Sequence, residues 1–287
     1  DRFESRGLGD VYKRQNYIIQ DRIGSGKFGS VYKGYHIRTN NKVAVKVESC
    51  NSSYITLKNE AKILRYLSDN KCREVPSIHW YGNIDNYLVL ILPRYDCSLY
   101  ELRQNTNMDK VLIDNLMTKM LYIIQEVHKS YVVHRDIKPH HFMISNGHLT
   151  LIDFGISTFF VDENKKKIKN NHKECIIGSK NYCSYFIHEG HNYSPRDDLL
   201  SIGYIYLFLI CGRLPWENIN KEYDTTMNEI YIDHPKNQDI MHSKSFEQLQ
   251  PLVFQLDNNF GIFLQKVYQC DYYEDPNYID LLALFLY

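Results

Sequence analysis

Two lysines and three carboxylates stand at positions that could move a phosphoryl group: Lys46 in VAVK, Glu60 downstream of it, Asp136 and Lys138 in HRDIKP, and Asp153 in DFG. Such a transfer needs a carboxylate to orient a hydroxyl and accept its proton, a cation for the transferring oxygens, and a second carboxylate for magnesium. Asp136, Lys138 and Asp153 supply those three types of group. Glu60 offers a carboxylate that could hold Lys46 toward the α- and β-phosphates of a nucleotide. Upstream, GSGKFGSV (Gly24 to Val31) fits G-x-G-x-x-G-x-V, whose glycines let backbone N–H groups approach phosphate oxygens. That pattern alone also arises in a glycine-rich hairpin turn. Each short motif recurs by chance, but their occurrence in this order does not read as coincidence.

The elements that must position these residues follow from the hydrophobic pattern. From Asn16 to Ile91, β-rich runs alternate with turn signals: YIIQDRIG, SVYKGYHI, KVAVKVES and YLVLIL. A strand follows the glycine loop, which disfavours the strand-loop-helix unit of a dinucleotide fold. Alternation on the third strand is expected to bury Ala44 and to present Lys46 on one face. Between the third and fourth runs, LKNEAKILRYL has apolar residues near helical spacing and predicts the helix that carries Glu60. After Pro93 the pattern turns to long helices, such as DNLMTKMLYIIQEVHKSY and DDLLSIGYIYLFLICG, separated by loops with Gly, Pro and Asn. The apolar strand LTLI runs directly into DFG.

The chain has 287 residues, enough for one large domain or two closely packed lobes. Lysine plus arginine equal aspartate plus glutamate at 34 each, so no bulk field favours nucleic acid or an anionic membrane. The 7 cysteines are scattered, without a C-x-x-C pair, as expected of reduced thiols in the cytoplasm or nucleus. The longest apolar run, Leu199 to Cys211, is too short to span a bilayer and reads as a buried helix. A run of lysines at 165, 166, 167 and 169 reads as a solvated loop. Abundant Asn, Ile, Lys and Tyr fit an AT-rich genome, as in a protist or a large virus. Residues 1–15 show no clear periodicity, and DVYKRQ resembles the translated end of a transposon adapter. This tail is expected to be non-native and to replace the true N-terminus.

Taken together, the four motifs resemble the protein-kinase signature, and IGSGKFGSVYKG, VAVKVE, PSIHWYG, HRDIKPHHFMI, LIDFGIS, GSKNYCSYFIHEG, SPRDDLLSIGYIYLFLICGRLPW and YEDPNYIDLLALF resemble the casein kinase 1 family. SYF, Ser184 to Phe186, stands where most kinases carry A-P-E, which casein kinases 1 also lack. The resemblance implies an α+β, two-lobed fold, with a β-rich N-lobe carrying one helix over 16–92 and a mostly helical C-lobe over 93–287. It implies a monomer that uses ATP and magnesium to phosphorylate serine or threonine of protein substrates, with no nucleic-acid or membrane partner. Ile23, Gly24, Gly26, Gly29, Val31 and Ala44 would then surround the nucleotide with Lys46. Leu92 would be the gatekeeper, and Pro93 to Tyr95 the hinge, with Tyr95 supplying the N–H. Asp136, Lys138, Lys46 and Glu60 would be catalytic. Leu64, His134 and Phe154 would belong to an apolar spine, and Asp198 would brace the backbone at Arg135, unless it only caps its helix.

Two departures qualify that resemblance. The arginine expected after GSK is Asn181, and the basic stretch expected beyond LPW reads ENINKEYDTT (Glu217 to Thr226), leaving Lys180 and Lys221 nearby. Recognition of a phosphate-primed substrate is therefore not expected, because a strong phosphate site needs paired cationic donors. The second departure is His141, where the family has a metal-binding asparagine. Imidazole is a poor ligand for magnesium and a better one for manganese. Asp153 and His141 are the expected metal ligands, and a handicapped kinase is expected. The alternative is a pseudokinase, an ATP-binding or interaction module with weak catalysis or none.

Overall fold

The described residues open on an antiparallel meander whose third strand shows why its residues alternate. In the computed structural model, which describes residues 16–26, 29–52, 55–221 and 230–286, β1 (Tyr17–Gly26), β2 (Gly29–His36) and β3 (Lys42–Ser49) pair in sequence. The predicted tail and part of ENINKEYDTT lie outside these residues. After helix α1 (Leu57–Asp69) come β4 (Trp80–Ile84) and β5 (Tyr87–Pro93), completing a 5-stranded sheet in the order β1-β2-β3-β5-β4. One face is a core of Val43, Val45, Val47, Ile84, Val89 and Ile91. On the other face, period-2 alternation places Ala44, Lys46 and Glu48. The expected burial of Ala44 is thus corrected. The valines take the core, and Ala44 is half-buried beside Lys46.

Strand β4 is the element missing from the sequence reading, because WYGNI carries little apolar alternation. Its signal is the following turn. Ile84 pairs with Tyr87 across Asp85-Asn86, and Asp85 takes φ 50°, the left-handed backbone that such two-residue turns require.

The chain divides into two compact units, one reaching Asp96 and including Thr150–Ile156, the other comprising Cys97–Leu149 and Ser157 onward. Strand β5 ends at Pro93, the first unit runs on to Asp96, and the DFG segment belongs to it. The second unit is mostly helical, with α2 (Leu99–Asn105), α3 (Lys110–Lys129), α4 (Tyr185–His188), α5 (Pro195–Cys211), α6 (Glu217–Lys221), α7 (Pro235–Ser243), α8 (Phe246–Leu256), α9 (Asn258–Gln269) and α10 (Tyr278–Ala283). Helix α5 is the centre, packed by α3 and α9. The chemistry of capping is legible at the starts of α2 and α3: Ser98 and Glu101 form a reciprocal capping box, and Asp109 accepts from Leu112 N–H at 2.8 Å.

Candidate active site

The predicted site residues fall into two groups, one within each unit. In the first, the sheet and α1 set the geometry. Glu48, on the same face of β3 as Lys46, accepts from the N–H groups of Thr56 and Leu57 at 3.0 Å each, capping α1 from outside its own sequence. That fixes the first turn of α1, where Glu60 lies 1% exposed. Lys46 Nζ donates to both Glu60 oxygens at 2.8 and 2.9 Å and to Asp153 Oδ1 at 3.0 Å. Burial disfavours the ammonium, but the Glu60 and Asp153 charges and hydrogen bonds outweigh it, and Lys46 is held charged well above its ordinary range. The DFG segment is tied to α1 as well, since Asn59 Nδ2 donates to the Gly155 carbonyl at 3.0 Å. Asp153 sits in the left-handed region at φ 71°, a strained backbone for a non-glycine residue.

The residues expected to surround a nucleotide lie on neighbouring strands of this unit. Gly24 pairs with Val31, Gly26 with Gly29, Val31 with Lys46, Ala44 with Leu92 and Val43 with Pro93. At Gly29 a Cβ would lie 2.2 Å from the Val47 carbonyl oxygen, so the hairpin can pack this closely only with glycine there. Ile23 is 53% exposed on β1. Burial pushes the Tyr95 phenol up, against a hydrogen bond with Thr150. Leu64 and Phe154 are both fully buried.

In the second unit, the HRD segment is fixed from behind by Asp198. Its Oδ2 accepts from His134 N–H at 2.7 Å and its Oδ1 from Arg135 N–H at 3.0 Å. His128 Nε2 lies 3.0 Å from Oδ2, and the Tyr278 hydroxyl makes a short contact to His128 Nδ1. The capping alternative for Asp198 is set aside, because Ser194 and Asp197 close the start of α5: Asp197 Oδ2 accepts from Ser194 N–H at 2.7 Å and from its hydroxyl at 2.9 Å.

That frame delivers Asp136. Its Oδ2 accepts from Lys138 Nζ at 2.8 Å and its Oδ1 from Ser179 N–H at 2.9 Å, while Lys138 Nζ also donates to Ser179 Oγ at 3.0 Å. Burial would raise the Asp136 pKa, but the nearby His141 and Lys138 and the hydrogen bonds from Lys138 and Ser179 hold it below its ordinary range. Asp136 is therefore an ionised acceptor at neutral pH.

His141 serves this loop with one of its ring nitrogens. Nδ1 lies 2.9 Å from the Asp136 carbonyl oxygen, a bond in which the imidazole must donate. Only Nε2 could then reach a metal. The donor chemistry fits a hard divalent cation at Asp153, whose carboxylate side chain is 40% exposed, and fits it less well at an imidazole nitrogen. His140, beside it, stacks on Tyr100 with ring centres 4.2 Å apart.

Sequence reasoning missed several contributors. The Lys46–Asp153 pair spans 107 positions and has no local signal. Ser179, His128, Tyr278 and Glu48 were also missed, since their roles come from tertiary placement. The lysine run is not wholly solvated: Lys167 reaches Asp275 at 2.7 Å and the Glu274 carbonyl at 2.7 Å, while its neighbours Lys165, Lys166 and Lys169 are exposed. Among known families, the model described as the protein kinase domain matches residues 17–282.

Proposed function

The chain belongs to the protein kinase family, and from that premise we propose that it is a casein kinase 1-like enzyme transferring the γ-phosphate of ATP to serine or threonine hydroxyls of proteins. The observation that carries this reading is the ionised Asp136 held between Lys138 and Ser179. Asp136 would accept the substrate hydroxyl proton as the new O–P bond forms and the bond from the γ-phosphorus to the bridging oxygen breaks, leaving ADP. Lys138 would stabilise negative charge on the transferring oxygens, and Lys46, braced by Glu60, would hold the α- and β-phosphates. Gly24, Gly26 and Gly29 would bring backbone N–H groups to the phosphates. Ile23, Val31, Ala44 and Leu92 would enclose the adenine, and Pro93 and Tyr95 would bond its edge.

Asp153 and the Nε2 of His141 are the groups that would hold magnesium or manganese. The metal, when bound, neutralises charge on the phosphates. All 7 cysteines are free thiols, which suits a monomer in the reducing cytoplasm or nucleus, and among the described residues no helix is long and apolar enough to cross a membrane.

A second reading is favoured by one observation, the imidazole at position 141: an ATP-binding interaction module without catalysis. Purified protein incubated with labelled ATP, magnesium or manganese, and casein separates the two. Incorporation that disappears in Asp136→Ala supports the enzyme. No incorporation with either metal, together with a melting temperature that rises with ATP, supports the module.

A further inference from the structure

Lys244, just beyond α7, is a lysine at 0% exposure with no carboxylate partner among the described residues. Its Nζ lies 2.7 Å from the Lys180 carbonyl, 2.7 Å from the Cys183 carbonyl and 3.0 Å from His188 Nε2. The rings of Tyr204 and Trp216 stand 5.2 and 5.1 Å from it. A buried ammonium is tolerated only when its protons are used, and here three donors meet three acceptors with two aromatic faces alongside. The acceptor role of His188 is enforced by its other nitrogen. Nδ1 lies 2.5 Å from Asn237 Oδ1, and Asn237 is itself oriented by Nδ2 donating to the carbonyls of His188 and Ile232 at 3.2 and 2.8 Å. Nδ1 therefore carries the proton and Nε2 the lone pair. Burial pushes the Lys244 ammonium down to about 8, so it stays mostly charged at neutral pH.

A second buried donor holds the same stretch. Trp216, also at 0% exposure, donates from Nε1 to the Asn181 carbonyl at 2.8 Å. Three carbonyls between residues 180 and 183 are thus fixed by two side chains that never reach solvent. The rest of this stretch does other work. The Ser179 N–H donates to Asp136 and its Oγ accepts from Lys138, and Lys180, Asn181 and Tyr182 line an open cavity of about 510 Å³ together with Lys138, His140 and Ser179. A hydroxyl delivered to Asp136 on a polypeptide must bring its neighbouring residues past this wall.

We propose that Lys244 is the positioning residue of the protein-substrate surface: with Trp216 it fixes the backbone of residues 179–183, so that Lys180, Asn181 and Tyr182 present a rigid wall to an extended, unphosphorylated segment of substrate. The proposal rests on the phosphotransfer reading above. It also assigns the Lys244 cation to backbone carbonyls, where it cannot serve as a reader of substrate phosphate.

The test uses fluorescein-labelled, dephosphorylated casein, with binding followed by anisotropy without nucleotide and turnover followed with ATP. Lys244→Met, which keeps a long side chain in the buried space, should raise both the Kd and the KM for casein roughly fivefold or more. The KM for ATP should stay where it was. Trp216→Phe, which keeps an aromatic ring and removes one N–H, should move casein binding in the same direction by less. If Lys244→Met does not fold, Trp216→Phe decides. Unchanged casein Kd and KM in the folded variant overturn the proposal, as does a KM for ATP that rises in step, or a parent that does not bind casein. A parent that transfers no phosphate while the variants still lose casein binding would refute the phosphotransfer reading and leave the positioning role standing.

Discussion

Lys46 and His141 divide their attention among several partners, and each makes a distinct prediction. Lys46 meets two carboxylates, Glu60 and Asp153, so Lys46→Met leaves those carboxylates without their shared cation and would also remove the phosphate contact proposed for it. Lys46→Met and Asp153→Asn are each expected to lower kcat by roughly 10²–10³, the scale for removing one preorganised electrostatic partner. Circular dichroism should show the parent's secondary structure in both variants, and undiminished turnover in either would refute these roles. His141 spends Nδ1 on the Asp136 carbonyl. An asparagine could make that bond through its amide N–H while offering a hard oxygen to a metal. His141→Asn should therefore lower the magnesium needed for half-maximal rate and raise kcat with magnesium, narrowing the advantage of manganese. His141→Ala should lose activity with both metals, because the loop bond is gone. Superimposable metal titrations for the parent and His141→Asn would show that the imidazole only holds the loop.

At the scale of elements, Asp198 joins α5 to the HRD segment and, through His128, to α3. Asp198→Ala strands the His134 and Arg135 N–H groups and the His128 ring nitrogen. A loss of about 3–5 kcal/mol is expected from removing one partner of a buried charged network, measurable by urea unfolding. The pH dependence has a definite sign. Burial pushes the Asp198 carboxyl up, but the hydrogen bonds and charges of His128 and His134 outweigh it, so the folded pKa lies below the ordinary value. Its stabilisation is complete above the unfolded pKa of about 4 and is lost as pH falls through the lower folded value. Unfolding free energy should therefore fall less steeply with acid in Asp198→Asn than in the parent. The segment after DFG is likewise anchored without any phosphate. Thr158 and Phe159 pair with Val133 and Val132, Ser157 Oγ donates to the His134 carbonyl at 3.1 Å, and Ser179 bonds Asp136. Phosphatase treatment is expected to leave the rate unchanged, and a tenfold loss would contradict this.

At the scale of the molecule, 7 free thiols predict a melting temperature indifferent to reductant, and a shift on adding dithiothreitol would reveal a cross-link. What the sequence announces about this architecture follows how local each signal is. The β3 range, Lys42 to Ser49, and the span of α1 are written in alternation and helical spacing, and the ordered motifs point to Lys46, Asp136 and Asp153. Strand β4 has weak apolar alternation and hid behind its turn. The exterior capping of α1 by Glu48, the reach of Lys46 to Asp153 and the grip of Lys244 on residues 180–183 depend on distant partners that no window of sequence contains. Helix α5 is apolar nearly all round and is buried at every position from Pro195 to Leu209, with Gly203 so close to Leu264 that a Cβ would lie 2.6 Å from its side chain. Its interior amides can therefore meet deuterium only when the second unit opens as a whole. Their exchange rates measure that unit's free energy of opening directly, in native buffer, and a drug or partner that stabilises the unit would register there first.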